Sequence, residues 1–296
     1  MGYFVTTNAP RVGIMSSGDM GSGFGSVLHA NGLDVYTVLV GRSDFTRLRA
    51  QEAGFIDAAH FDDLVQKIDL FISVLVPSEA LQLAKDIAGA MKRTGATPAY
   101  ADLNAIAPQT GLEIESIVRA AGANFIDGGI IGGPPREGYS PHIGVSGPDV
   151  AIMESLRERA LNVEVIGPKI GQASGLKMVY AAGTKGTTAL WTEILSASRA
   201  LGLEDALRER LGDNNPVYTY AQRSIPGMPN RARRWVGEME EIAKTFEGLG
   251  MTPNILQGAA DMYTLVGETP LADLTSRDPN PALEEVLEAV VQRLKD

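Results

Sequence analysis

Not one cysteine occurs among the 296 residues, which removes disulfides, thiolate nucleophiles and cysteine zinc sites together. Histidine is almost as scarce: His29, His60 and His142 lie too far apart in the chain to act as local ligands, so no metal is expected. No run of about 18 apolar residues is present, and Met1-Gly2-Tyr3-Phe4 has neither the basic nor the apolar stretch of a signal peptide. A soluble, cytoplasmic protein with no membrane partner is the expectation. Positive charge is also in deficit, with 26 Lys and Arg against 36 Asp and Glu. That balance argues against nucleic acid, because phosphate contacts need clustered cations. The one basic cluster, Arg231, Arg233 and Arg234, reads as a solvated helix face.

What is present points to two domains, since a chain of this length with 44% hydrophobic residues can bury two moderate cores. Over residues 11–167 short apolar runs alternate with helical stretches, the pattern of βαβ units in a parallel sheet. Strands are expected at 11–15, 34–40, 70–75, 99–103, 124–127, 142–146 and 163–166. Helices are expected at 21–30, 46–53, 78–91, 106–120 and 149–160. Strand signals then stop. Residues 172–201 have apolar spacings that suit one long helix, and Gly175, Gly183 and Gly186 within it mark close approaches of a backbone or a ligand. Further helices are expected at 203–211, 230–249 and 281–294, with loops at 213–216 and 225–229. The fold class is therefore an α/β Rossmann domain, doubly wound around a mainly parallel sheet, over 1–170. An all-α domain over 171–296 follows, to hold a small-molecule substrate.

The first strand runs into Ser16-Ser17-Gly18-Asp19-Met20-Gly21 and a helix start. In a dinucleotide-binding loop, glycines let the backbone turn sharply and approach a pyrophosphate whose charge rests on the helix N-terminus. Ser17, Gly18, Asp19, Met20 and Gly21 are the corresponding cofactor contacts, although Ser16 replaces the first glycine of G-x-G-x-x-G. An acidic residue ending the second strand suits NAD, whereas arginine there suits the 2′-phosphate of NADP. This chain has Val40-Gly41-Arg42-Ser43. Arg42 and Ser43 thus favour NADP, with NAD as the alternative.

Taken with that loop, Val74-Leu75-Val76-Pro77, the segment 102–108, Asp127-Gly128-Gly129-Ile130-Ile131-Gly132-Gly133 and residues 171–177 fall in the order of one family. The chain resembles the β-hydroxyacid dehydrogenases, which include 3-hydroxyisobutyrate and 6-phosphogluconate dehydrogenases and the related imine reductases. The resemblance covers about the first 185 residues. The remainder is similar to the helical domain of poorly characterised bacterial phosphogluconate-dehydrogenase-like proteins. It implies hydride transfer between a nicotinamide cofactor and a hydroxyl or carbonyl group, a homodimer formed through the helical half, cofactor contacts from Val76, Pro77 and Asn104, and Lys177 as acid/base. Hydride loss from a carbinol carbon must be accompanied by loss of the hydroxyl proton, which a lysine in a partly dry pocket can take.

Two positions depart from the family pattern. Ile131, beside Gly132 and Gly133, stands where the family has a serine that contacts the substrate carboxylate, and Ala181 stands where it has asparagine. Both changes remove polar groups from the expected pocket, so a substrate larger or more apolar than a simple 3-hydroxy acid is anticipated. On a uniform helix Thr184 and Thr188 share the face of Lys177, and Lys185 is offset by roughly 80°. They are candidates for replacement contacts. Tyr180, Trp191, Tyr218, Tyr220, Trp235, Met239 and Met262 offer bulky surface, with Trp235 the chosen substrate contact. Alternatives remain in hydride abstraction followed by loss of carbon dioxide or formaldehyde, in imine reduction, and in a non-catalytic cofactor sensor.

Overall fold

Strand β1 (Val12–Met15) is buried at every residue, as a parallel strand covered on both faces must be. The computed structural model describes residues 9–15, 18–212, 214–275 and 278–295. It divides into two units, Met1–Lys177 and Met178–Asp296.

After β1 the first unit continues through α1 (Asp19–Ala30), β2 (Val35–Val38), α2 (Asp44–Glu52), β3 (Ile56–Ala58), α3 (Phe61–Lys67) and β4 (Leu70–Ser73). Then come α4 (Pro77–Thr94), β5 (Ala99–Asp102), α5 (Pro108–Arg119), β6 (Phe125–Ile131), β7 (His142–Ser146), α6 (Ala151–Glu154) and β8 (Asn162–Gly167). The sheet order is β3-β2-β1-β4-β5-β6-β7-β8, parallel except where β7 runs against β6. Helices cover both faces. On one, Phe24, Val27 and Leu28 of α1 pack with Leu70, Ile72 and Ile126, and on the other Leu83, Ile87 and Met91 of α4 pack with Phe71 and Phe125. Phe71, Tyr100 and Phe125 form an aromatic ladder across three strands, at centroid spacings of 5.1 and 6.1 Å. Each large side chain so buried contributes about 1.5–3 kcal/mol.

Two sequence expectations change here. Strand β3 and helix α3 occupy a stretch with no expected element, and β3 has only three residues, two of them exposed. The helix expected at 149–160 is a four-residue α6 followed by a 3-10 turn, Ser155–Arg159, which ends where Ala160 turns left-handed at φ 66°.

Helix α7 (Gln172–Ala181) begins in the first unit and leads into the second. The uniform helix expected over 172–201 is broken by a π turn, Ala182–Gly186, before α8 (Thr187–Ala200). The helical unit adds α9 (Glu204–Leu211), α10 (Pro216–Ser224), α11 (Ala232–Glu247), α12 (Asn254–Gly267) and α13 (Leu283–Arg293). Its core includes Met239, Ile242, Tyr263, Val266 and Val290, all fully buried. The expected loop at 213–216 is in part a helix start, with Asp213 outside the described residues. Asn215 caps α10 by accepting the amides of Val217 and Tyr218 at 3.0 Å each, and Pro216 takes the first helical position, where its missing N–H costs nothing. Among the described residues no helix is long and apolar enough to cross a membrane.

Candidate active site

Parallel strands share a carboxyl edge, and this sheet reverses its winding between β1 and β4. Ligands of open α/β sheets bind in the crevice at such a switch point. The start of α1 and the turn after β4 flank it here. Ser16 and Ser17 lie outside the described residues, but Gly18 is the N-cap of α1 and offers no side chain to the first-turn amides. Those amides are oriented for an anion, so the residues present fit the pyrophosphate of a dinucleotide. Asp19, the acidic residue of that first turn, is ion-paired with Arg49 of α2. Met20 is half-buried and Gly21 buried.

At the end of β2 the Arg42 amide donates to the Leu39 carbonyl at 3.1 Å, closing a tight turn in which Gly41 adopts φ 73°. Arg42 is exposed. Ser43 caps α2, accepting the Thr46 amide at 3.3 Å, and Arg47 donates to the Arg42 carbonyl at 3.2 Å. A guanidinium and a hydroxyl therefore stand together at a helix N-terminus. Asp44, in the first turn of α2, is also exposed.

Beyond β4, Val76 is 44% exposed as the N-cap of α4 and Pro77 is its first residue. Asn104 differs from these: it is 2% exposed and its side chain is spent on the fold. Its Oδ1 accepts the Leu75 amide at 2.6 Å, and its Nδ2 donates to Ser73 at 2.7 Å and Asp102 at 2.9 Å. The amide ties the ends of β4 and β5 together, and through Leu75 it sets the path of Val76 and Pro77.

The register places Ser73, Asp102, Asp127 and Ser146 side by side on four consecutive strands, all 1% exposed or less. Burial pushes the Asp102 carboxyl up to about 7 against the pull of the Asn104 backbone amide and side chain, and the neighbouring Asp127 adds to the rise. Asp127 is raised by burial and held back by the Ser146 hydroxyl and the Ser174 amide. Its Oδ2 accepts Ser146 Oγ at 2.7 Å and the amides of Ala173 and Ser174 at 3.0 Å each. A strand carboxylate thereby holds the first turn of α7. Two residues along β6 the same helix touches the strand: a Cβ on Gly129 would lie 2.7 Å from Lys177 Cβ and 3.0 Å from the Ala173 carbonyl oxygen. Lys177 is half-buried at this contact. Ile131 ends β6, followed by Gly132 at φ 136° and an exposed Gly133 whose amide donates to the Tyr139 hydroxyl at 3.2 Å.

In the helical unit, Ala181 is 2% exposed and ends α7, while Thr184 and Lys185 lie in the π turn. A π turn takes about one residue more than an α turn. The uniform step of about 100° per residue that put Thr184 and Thr188 on the face of Lys177 therefore does not hold through this segment. The widened turn is held by hydroxyls. Thr184 O accepts Tyr220 OH at 3.1 Å and Thr188 Oγ1 at 3.0 Å, and Lys185 O accepts Tyr263 OH at 2.7 Å. Lys185 and Glu238 form an ion pair in which each side chain is 11% exposed. Arg234 Nε lies 3.3 Å from Glu238, the Lys185 ammonium is 5.2 Å from the Trp235 ring centroid, and Trp235 meets Tyr263 edge-on. Burial lowers the Lys185 pKa, Glu238 opposes this, and Arg234 and Arg231 add to the lowering.

Of the residues that hold these two places, Glu238 and Tyr263 are absent from the sequence reading, Asp127 and Gly129 enter it only within the family pattern, and Tyr220 only as bulky surface. Asp127 did carry a signal, as a lone carboxylate inside the apolar run Phe125-Ile126-Asp127-Gly128-Gly129-Ile130-Ile131. Glu238 carried one only as the partner of Arg234 at the i, i+4 spacing.

Comparison with known proteins gives two family matches. Residues 11–196 match the NAD binding domain of 6-phosphogluconate dehydrogenase, and residues 198–266 match a domain of unknown function, DUF1932. An uncharacterized 28.5 kDa protein in the 7S RNA 5′ region of Methanothermus fervidus is 28% identical over 260 residues, covering 87% of this chain and 99% of that protein. A conserved protein of unknown function, described as structurally similar to 3-hydroxyacid dehydrogenases, is 30% identical over 86% of this chain and 97% of its own, with a TM-score of 0.65. Mycobacterium tuberculosis 3-hydroxyisobutyrate dehydrogenase, described with L-serine, shares the fold at 17% identity, with a TM-score of 0.69 over 97% of this chain and 99% of its own.

Proposed function

The chain belongs to the family of the 6-phosphogluconate dehydrogenase NAD binding domain and is an NAD(P)-dependent oxidoreductase; from this premise we propose that it prefers NADP and uses Lys177 as acid/base on a hydroxyl or carbonyl substrate. The observation that carries the reading is the seating of Lys177. Its helix is held at the first turn by Asp127 and rests at Lys177 itself on Gly129. A nicotinamide held by these residues would supply the hydride acceptor or donor. Lys177 Nζ takes the hydroxyl proton in oxidation and gives it back in reduction, so charge does not accumulate on oxygen.

Gly18, Asp19, Met20 and Gly21 bind the pyrophosphate in this reading, Val76 and Pro77 line the cofactor, and Asn104 acts on it through the backbone it holds. NADP preference is supported by Arg42 and Ser43 at the N-terminus of α2, where charge-assisted bonds to a phosphate are available. A bulky substrate is supported by Ile131 and Ala181, which offer alkyl groups only. A homodimer belongs to the same reading, supported by Val179 and Tyr180 of α7 and Leu190 of α8, which are 55%, 51% and 54% exposed.

Lys177→Ala is expected to bind NADPH within about twofold of wild type and to lose at least about 100-fold in turnover across a panel of hydroxy acids and carbonyl compounds. Unchanged turnover would transfer support to a cofactor sensor. Arg42→Ala should raise the dissociation constant for NADPH about tenfold and leave that for NADH in place. Equal losses for both cofactors would remove the phosphate role.

A further inference from the structure

Where the chain leaves β4, its backbone passes from the hold of a strand to the hold of a side chain. The Val74 amide still donates to a strand, to the Met15 carbonyl at 2.6 Å. The next amide, that of Leu75, donates instead to Asn104 Oδ1, also at 2.6 Å, and Val76 and Pro77 follow into α4. A backbone N–H can only donate, so this bond depends on which end of the Asn104 amide faces Leu75. Turned over, Asn104 would present its NH2 to an N–H, and the bond would be lost.

Asp102 settles the orientation. Its Oδ1 accepts the Asn104 backbone amide at 2.9 Å, an Asx turn that closes the end of β5, and its Oδ2 accepts Asn104 Nδ2 at 2.9 Å. An ionised carboxylate only accepts, so it keeps the NH2 on its own side and leaves Oδ1 toward Leu75. The third partner does not choose: Ser73 Oγ accepts Nδ2 at 2.7 Å, but a hydroxyl in that place can equally donate to an oxygen. A carboxyl is a demanding group to keep here. Asp102 is 1% exposed, and burial raises its carboxyl to about 7, so the fold alone would be served better by a neutral residue. Asparagine makes an Asx turn as well as aspartate does. It could not hold the neighbouring amide one way round.

We propose that Asp102 is a positioning residue for the dinucleotide: through Asn104 it fixes the backbone of residues 75–77 in the shape that receives the cofactor. The inference rests on the reading that Val76 and Pro77 line the cofactor, and it adds the group that sets them in place. In Asp102→Asn the Asx turn survives, but an NH2 then faces Asn104 Nδ2. The Asn104 amide turns over to meet it, Ser73 reverses its bond, and the Leu75 amide is left opposed by an NH2. The turn is released while Arg42 and Ser43 are untouched, so NADH and NADPH suffer alike.

The test uses the full chain at pH 8, above the Asp102 value, with binding of NADH and NADPH followed by nicotinamide fluorescence. Asp102→Asn is expected to raise both dissociation constants about tenfold and to speed amide exchange at Leu75. It should melt no lower than wild type, because it removes a buried charge. Affinity and stability thus part company, which a merely architectural carboxylate would not produce. Asn104→Ala should weaken both cofactors by a similar factor, and Asp102→Asn combined with it should add no further loss, because Asp102 acts through that amide. Dissociation constants within about twofold of wild type, unaltered exchange at Leu75, a melting temperature that falls with the affinity, or losses that add in the double variant would each overturn the proposal. Val76→Trp, which crowds the turn itself, separates the two readings. If it weakens both cofactors while Asp102→Asn does not, Asp102 alone is wrong. If it leaves binding unchanged, the cofactor does not lie on this turn, and the proposal falls with that reading.

Discussion

The sheet unit and the helical unit each bury charged side chains, but they use them differently. In the sheet unit Asp127 and Asn104 direct their polar atoms at main-chain amides and at neighbours in the same strand row. Their bonding builds the path of α7 and the turn after β4. In the helical unit the order is reversed: hydroxyls serve the backbone of the π turn, while the buried ammonium pairs with another side chain, Glu238, beside the Trp235 ring. A buried polar group whose bonds end on the backbone builds structure.

The contrast is broken most readily at Asp127. Asp127→Ala strands the buried Ser174 amide and leaves the Ala173 amide with Ser146 Oγ alone, and should lower unfolding free energy by about 3 kcal/mol, measured by urea denaturation. Lys185→Met/Glu238→Gln, which removes the buried pair of the helical unit together, should by comparison stay within about 1 kcal/mol of wild type. If the double variant were the more damaging, the helical pair would be the architectural one.

Next in size is the pH dependence set by Asp102. Its carboxyl is raised to about 7 in the folded chain from an ordinary 3.8, so the folded state holds a proton that the unfolded chain releases. That contribution is fully present at pH below the unfolded value and is lost as pH rises through the folded one. Wild type should lose on the order of 2 kcal/mol between pH 5 and 8 from this group, and Asp102→Asn should show a flatter profile in thermal melts at matched ionic strength. Parallel profiles would mean that the strand row tolerates the charge. The smallest effect is expected for Tyr263→Phe, about 1 kcal/mol, with faster amide exchange confined to residues 182–186. Exchange unchanged there would deny the tyrosine its hold on the turn.

Most of the sheet was legible in the sequence, because doubly buried strands such as Leu70–Ser73 stand out as short apolar runs between helical stretches. Strand β3 was not, since Ile56 and Asp57 are exposed and three residues carry no period. Helix α12 escaped notice for a different reason. Its apolar residues, Ile255, Leu256, Met262, Tyr263, Leu265 and Val266, span more than one face, and Gly258 sits inside it. Gly183 lies in the π turn rather than at the close approach expected of it, since nothing comes within 4 Å of a Cβ placed there, and a wheel drawn at constant pitch does not carry through this turn to Thr184 and Thr188. The glycine-rich loop and Arg42 could be put forward from the sequence because the pattern that suggests them is local. The clamp on α7 was not, since it joins residues 46 and 47 positions apart.

The π turn has a consequence for how this chain is compared with others. Because it holds an added residue relative to an α turn, matching the chain to a protein with an unbroken helix requires a single gap between Ala181 and Thr187. Leaving that gap out shifts every correspondence beyond it by one place. Lys185 would then be paired with a neighbour's counterpart, and its own would be lost from the comparison.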